Sequence, residues 1–330
     1  MKKTAVVVLT WNGAEMLRKF LPAVCACSAG EDTEVIVADN ASTDETQNVL
    51  RTEFPGVRVI TLDQNYGFAE GYNRALAQVE AQYVVLLNSD VEVTPGWFTP
   101  LTQYLDEHTE VAACQPKVRS YRNKKMFEYA GASGGFLDKY GYPFCRGRVL
   151  GKVEEDHGQY DGVCSIFWAT GAALCMRLED YRQAGGLDAR FFAHMEEIAL
   201  CWRLRSRGRG IVCVPQSVVY HVGAATLKES PRKVFLNFRN NLLMLYKNLP
   251  EKELGSVMRV RCALDYVAAA QYLLKLQWGN FRAVLQARKE FRQRKAEFLP
   301  DREENLQKTV VEDIPERVKY CILFHRANLS

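Results

Sequence analysis

Within the first ninety residues, four short runs of nearly unbroken apolar, β-branched residues alternate with segments of helical period. The runs are Thr4–Leu9, Glu34–Ala38, Val57–Thr61 and Tyr83–Leu87. Strands that face solvent on one side alternate apolar with polar, so continuous apolar character predicts strands buried on both faces of a parallel sheet. Helices are predicted between them over Ala14–Cys27, from the Ser42-Thr43-Asp44-Glu45 capping sequence to about Glu53 ahead of Pro55-Gly56, and over Ala69–Val79. Strand–helix alternation implies right-handed crossovers and an α/β architecture, an open, mostly parallel Rossmann-like sheet flanked by helices.

Ligands of such sheets bind beyond the carboxyl ends of the strands. There the sequence reads Thr10-Trp11-Asn12-Gly13, then Asp39-Asn40-Ala41-Ser42-Thr43-Asp44, then Asn65-Tyr66-Gly67-Phe68, then Asn88-Ser89-Asp90. Any one cluster can be turn chemistry, because Asn, Asp, Ser and Gly fill turns for local reasons. Four of them on one sheet edge form a candidate site. None contains a G-x-G-x-x-G or P-loop pattern, which argues against a dinucleotide dehydrogenase or P-loop enzyme.

Composition excludes other classes. The net charge of +4 over 330 residues is too balanced for a nucleic-acid protein. Ten scattered cysteines without a Cys-x-x-Cys pair read as reduced, mostly buried thiols of a cytoplasmic protein. The longest stretch free of Lys, Arg, Asp and Glu, Gly210–Leu227, contains Pro215, Gln216, Ser217 and His221 and cannot span a bilayer. The apolar run behind Met1-Lys2-Lys3 stops at Trp11-Asn12-Gly13, short of a signal-peptide core.

The segment Val35–Asp44, the segment Asn65–Asn73 and Leu86-Leu87-Asn88-Ser89-Asp90 together resemble the pattern of glycosyltransferase family 2, nearest its rhamnosyltransferase-like branch. The resemblance continues through Ala169-Thr170-Gly171-Ala172, Phe191-Phe192-Ala193-His194-Met195-Glu196-Glu197, Leu200-Cys201-Trp202-Arg203-Leu204 and His221-Val222-Gly223, covering about residues 4–247. It implies a GT-A fold, a nucleotide-sugar donor (a UDP-, dTDP- or GDP-sugar), a divalent cation (Mg2+ or Mn2+) and inverting chemistry. The acceptor it implies is a hydroxyl of a glycan or lipid-linked molecule in surface polysaccharide assembly.

Such a reaction asks a protein to hold the nucleotide, neutralise the departing diphosphate and deprotonate the acceptor. For the first task the resemblance points to Asp39, with Thr10 and Asn12 beside it, and to Asn65, Gly67, Asn73, Asn88 and Gly171; Asp44 is a helix cap with a secondary nucleotide role. For the second it points to Asp90 and His221 as metal ligands. Asn88 stands where the family has the first carboxylate of its D-x-D motif, which weakens the site and leaves the donor phosphates to hold the ion. For the third it points to Glu197 as general base, with Glu196 as the fallback; at a helix start, the pair can also be a dipole-stabilised surface pair. Trp202, Arg203 and Arg239 are expected on the acceptor or phosphate side, Arg239 having an ion-pair role as its alternative.

The charge balance hides an asymmetry: residues 228–299 carry 15 Lys/Arg against 6 Asp/Glu. This places a catalytic GT-A domain over residues 1–227 and a helical, basic C-terminal extension over residues 228–330. In the extension, Phe281, Val284, Leu285, Phe291 and Phe298 share a helix face ringed by Arg282, Arg288, Lys289, Arg292, Arg294 and Lys295. That face either lies on an anionic membrane, making the protein peripheral on the inner side of the cell membrane, or packs on the catalytic domain. Two other readings stand beside the transferase: a sugar nucleotidyltransferase, which wants a Gly-rich loop after the first strand, and a catalytically silent sugar-nucleotide-binding scaffold.

Overall fold

The computed structural model describes residues 2–223 and 230–308, and the backbone of 317–318. The first half follows the expected alternation: β1 (Lys2–Thr10), α1 (Ala14–Cys27), β2 (Thr33–Asp39), α2 (Thr46–Glu53), β3 (Arg58–Thr61), α3 (Gly67–Leu76) and β4 (Ala81–Asn88). After these come β5 (Val91–Val93), α4 (Thr99–Glu107) and β6 (Val111–Ser120). Four short strands follow, β7 (Gly135–Asp138), β8 (Pro143–Cys145), β9 (Arg148–Val149) and β10 (Lys152–Val153), then β11 (Cys164–Ser165) and β12 (Ala173–Arg177). The chain continues through α5 (Leu178–Gln183), α6 (Glu196–Ser206) and β13 (Gly210–His221) to four C-terminal helices: α7 (Pro231–Asn248), α8 (Glu251–Leu274), α9 (Trp278–Arg294) and α10 (Leu299–Lys308).

The main sheet runs β11-β13-β6-β12-β4-β1-β2-β3, with β5 paired to β13. Strands β3, β2, β1 and β4 are parallel, as the apolar runs predict. Beyond them the sheet is mixed, because β12 enters antiparallel between β4 and β6. Successive residues of the same strand feed opposite cores. Ala5, Val7, Val84 and Leu86 pack with α3 and α6, whereas Val6, Val8, Val85 and Leu87 pack with α1 and α4. A small second sheet, β10-β9-β8-β7, is joined by Arg317–Val318 running parallel to β7.

The C-terminal helices fold back on the α/β half of the chain. Val284 and Phe291 of α9 and Phe298 just beyond it are buried, so most of the expected apolar face packs inward, while Leu285 stays exposed. Arg288 is buried against Asp265 of α8 (2.5 Å), and the same Asp265 meets Arg261, whose guanidinium reaches Asn241 of α7. A buried charge without a partner costs several kcal/mol, so this Asn241–Arg261–Asp265–Arg288 chain fixes the register of three helices.

Candidate active site

The edges of β1 and β2 are stitched by side chains. Asn12, at φ +50°, accepts at Oδ1 from the Thr43 amide (2.7 Å), and its own amide donates to Ser42 Oγ (2.8 Å). Asp39 is fully buried and accepts from the Ser42 amide and from Gln47 Nε2, both at 3.0 Å. Asp44 accepts from the Thr46 amide (3.0 Å) and the Ala14 amide (3.4 Å), so it serves the starts of both α2 and α1. Thr10 Oγ1 is buried without a partner and sits where a side chain at Gly13 would go, 2.1 Å from an ideal Cβ. Trp11 stands 53% exposed beside them.

Asn40, absent from the sequence-based set, organises the third cluster. Its Nδ2 donates to the Gly67 carbonyl (2.9 Å) and to Asn65 Oδ1 (3.2 Å), and its Oδ1 accepts from the Tyr66 amide (2.9 Å). Asn65 Oδ1 also accepts from the Gly67 amide (2.9 Å), closing the turn into α3. Gly67 has φ +74°, and a Cβ there would strike the Phe192 ring at 2.6 Å, so only glycine fits. Asn73 points elsewhere: it clasps Leu187 through both amide and carbonyl and accepts from Tyr181 Oη, away from the Asn40–Asn65–Gly67 cluster.

Asp90 and His221 meet where β5 pairs with β13, Val91 being opposite His221. Asp90 Oδ1 lies 3.1 Å from His221 Nε2, and both residues are buried. Glu128, also missed from sequence, stands behind the ring with Oε2 3.5 Å from Nδ1. Burial alone would lower the pKa of His221, but the two carboxylates outweigh it and raise it to about 10. Among the described residues no three His, Cys, Asp or Glu side chains are placed to share one ion; Glu128 faces the far nitrogen of the ring. Asp90 and His221 nevertheless fit a divalent cation. Neighbouring ligands of an octahedral ion with bonds of about 2.1 Å stand about 3 Å apart, so the two side chains are spaced as a ligand pair, the imidazole giving up its proton to bind an ion. Two protein donors leave the remaining positions to other oxygens.

The Asn88 amide donates to the Ala172 carbonyl (3.0 Å), which ties this cluster to Gly171. An ideal Cβ on Gly171 would lie 3.1 Å from Phe68 and 3.9 Å from Glu197 Cβ, so the glycine keeps open the space in front of Glu197. Glu196 and Glu197 begin α6 behind a stretch in which Phe192, His194 and Met195 all take positive φ (66°, 71° and 72°). Non-glycine residues in that region cost about 1 kcal/mol or more each, so something must hold them. Asn240 does: its Nδ2 lies 3.0, 2.8 and 2.8 Å from the carbonyls of Phe191, Ala193 and His194. Burial raises the Glu197 carboxyl to about 7 against weaker backbone hydrogen bonds. Burial and the neighbouring Glu197 raise Glu196, the deeper of the two, well above the carboxylate range. One oxygen of each carboxyl, Oε2, has no hydrogen-bond partner, which the surface-pair reading does not accommodate.

Three expected contacts are corrected. Trp202 is fully buried, edge-on to Phe167 at 5.2 Å, because α6 is covered on nearly all sides. Arg203 donates to the carbonyls of Ala184 and Gly186 in the interior. Arg239 takes its alternative role, paired with Glu290 (2.8 Å) and reaching the Phe191 carbonyl (3.3 Å). With Asn240 it braces the loop in front of Glu196. Asn240→Ala is therefore expected to cost about 2 kcal/mol of stability through unsatisfied buried carbonyls. It should also lower kcat about tenfold with donor KM little changed; denaturant unfolding and steady-state kinetics read both.

Residues 5–158 match the family model described as glycosyl transferase family 2. Over 242 residues, 68% of this chain and 78% of the relative, the chain is 26% identical to the N-acetylglucosaminyl-diphospho-decaprenol L-rhamnosyltransferase of Mycobacterium tuberculosis. Its fold is similar to that of TarS residues 1–349 from S. aureus in complex with UDP-GlcNAc (TM-score 0.58, 14% identity, 93% of this chain and 89% of that one). It is also similar to the mannosyltransferase PcManGT from Pyrobaculum calidifontis in complex with GDP-Man and Mn2+ (TM-score 0.52, 15% identity, 89% and 87%). An α/β sheet of this order, the family model over residues 5–158 and the aligned relative lead to one assignment: the chain is a glycosyltransferase with the GT-A fold and a C-terminal helical extension, and its residues 5–158 are of the family 2 type.

Proposed function

We propose that the chain moves a sugar, a deoxyhexose such as rhamnose or another hexose, from a nucleotide diphosphate donor to a hydroxyl of a lipid-linked acceptor, with inversion. The observation that carries this reading is the pairing at one sheet edge of a cation-fitting couple, Asp90 and His221, with a carboxyl raised to about 7, Glu197, joined through Asn88, Ala172 and Gly171. The named substrate of the mycobacterial relative, a diphospho-decaprenol, supports the acceptor class. The nucleotide sugars bound to the two structural neighbours support the donor class.

Asp39 keeps lone pairs free beyond its bonds to Ser42 and Gln47 and accepts from the base or ribose, with Thr10 Oγ1 and Asn12 alongside and Trp11 available for stacking. Gly67 and Asn65 shape the sugar side. Asp90 and His221 would hold a divalent cation, which when bound would offset charge on the departing diphosphate. Glu197 accepts the proton of the acceptor hydroxyl as that oxygen bonds to the anomeric carbon; the carbon–oxygen bond to the diphosphate breaks on the opposite face, and configuration inverts. Helices α7 to α10 form the acceptor side in this reading.

The test is incubation of the purified chain with UDP-, dTDP- and GDP-sugars, Mg2+ or Mn2+, and a short polyprenyl-diphosphate sugar. Expected are nucleoside diphosphate release and a glycosylated lipid of inverted anomeric configuration. Retained configuration, or transfer unaffected by chelator, sinks the corresponding part of the mechanism.

A further inference from the structure

The inward packing of α9 moves the question of membrane contact to a different place. From Tyr266 to Lys289 the chain has no acidic residue and four basic ones, of which Arg288 is committed to Asp265. Within this span the turn between α8 and α9 carries an exposed apolar cluster: Leu274 is 84%, Leu276 75% and Trp278 56% exposed, and Val267, two turns earlier on α8, is 65% exposed. Lone exposed leucines are ordinary; three large apolar residues gathered at one tip, with a fourth two turns away, are not.

Leu276 is the sharpest sign. It has φ +57° in a helix-ending turn where the Leu276 amide donates to the Leu273 carbonyl and the Gln277 amide to the Tyr272 carbonyl. Glycine is the favoured residue at such a position. A leucine there accepts backbone strain and also exposes its side chain, so neither folding nor solubility accounts for it. The tip is firmly based: Val234, Ala269, Ala283 and Val284 form a small core between α7, α8 and α9, and Gly279 abuts Pro231, 2.7 Å from an ideal Cβ. Next to Pro231, Arg232 lies over the ring of Phe192 (5.1 Å), the residue that covers Gly67. Through Pro231 and Arg232 the base of the tip is thus linked to the loop that precedes Glu196.

We propose that the α8–α9 tip inserts into the interface of an anionic bilayer, with Leu274, Leu276 and Trp278 among the acyl-chain ends and with Lys275, Arg282 and Lys289 at the headgroups. Trp belongs at that boundary, and lysine reaches out of it along its own methylenes. Cationic residues beside the cluster suit anionic lipid. They disfavour a second copy of the chain, which in a symmetric pair would set Lys275 and Arg282 against their like. Among the described residues no helix is long and apolar enough to cross a membrane, so contact at this tip is interfacial. The inference deepens the lipid-linked acceptor reading and stands apart from it in test.

The experiment is co-sedimentation of the full chain with phosphatidylcholine vesicles, with and without phosphatidylglycerol, in the absence of donor and acceptor. Wild type should partition about tenfold or more in favour of the anionic vesicles. Leu276→Gly should lower that partition about tenfold while keeping or raising Tm; Lys275→Ser with Arg282→Ser should erase the lipid preference. Equal binding by wild type and Leu276→Gly overturns the proposal, as does a concentration-dependent dimer dissolved by Leu274→Ser in a chain that ignores vesicles. Vesicle binding without transfer to any lipid-linked sugar would instead sink the acceptor reading and leave the membrane tip standing.

Discussion

Glu197→Gln should lower kcat by about 10^3-fold with donor affinity held within about threefold, since a positioned base contributes about 10^2 to 10^4. The amide keeps shape and burial but cannot take a proton. The pH profile supplies the independent check. Burial raises this carboxyl from 4.5 to about 7, so in the wild type kcat/KM should climb with pH through about 7 as the base ionises, and the climb should vanish in the variant. Stability runs the other way. A carboxyl whose folded pKa is raised contributes fully below its unfolded value, and that contribution is lost as pH rises through about 7. Glu197→Gln should therefore melt above wild type near pH 8, with the gap closing toward pH 5. A variant with wild-type turnover would remove Glu197 from the reaction.

The second large effect falls on Asp90. Asp90→Ala should cost about 10^2 to 10^3 in kcat/KM, the magnitude seen when one preorganised electrostatic contact to developing charge is deleted. Titration calorimetry should show Mn2+ binding with nucleoside diphosphate weakened in parallel. Glu128→Gln, one shell behind through His221, should weaken the ion about 10- to 100-fold and leave the pH profile of the base in place. Chelator-insensitive transfer by wild type would leave Asp90 and His221 as a buried ion pair alone.

The first four strands and three helices were legible because each apolar run is continuous and each break carries Gly, Pro or a capping residue; α1 falls on Ala14–Cys27 as expected. Strands β7 to β10 were not legible, at two to four residues each with no period to count. Motif order brought together what long-range pairing then joins, Asp90 with His221 across 131 positions and Gly171 with Glu197. What it could not show is the facing of helical residues. Trp202 and Arg203 lie on a helix buried nearly all round, and Asn73 faces the Gly186 turn, where even a methyl group would come within 2.5 Å of its Oδ1. Asn40, Glu128 and Asn240 act through partners distant in sequence, so no local pattern flags them.

The clamp of Asn240 on the carbonyls before Glu196 has a consequence for the order in which the enzyme matures. The side-chain ties among Asn12, Asp39, Asn40, Ser42 and Asn65 lie wholly within the first ninety residues. The base waits for α7, and α7 is in turn registered through Arg261 and Asp265 by Arg288. Chains grow and fold from the N-terminus, so a nascent polypeptide passes through a stage with these strand-end ties in place and the loop before Glu196 still unset. Competence for transfer arrives last, with the same helical hairpin that carries Leu276.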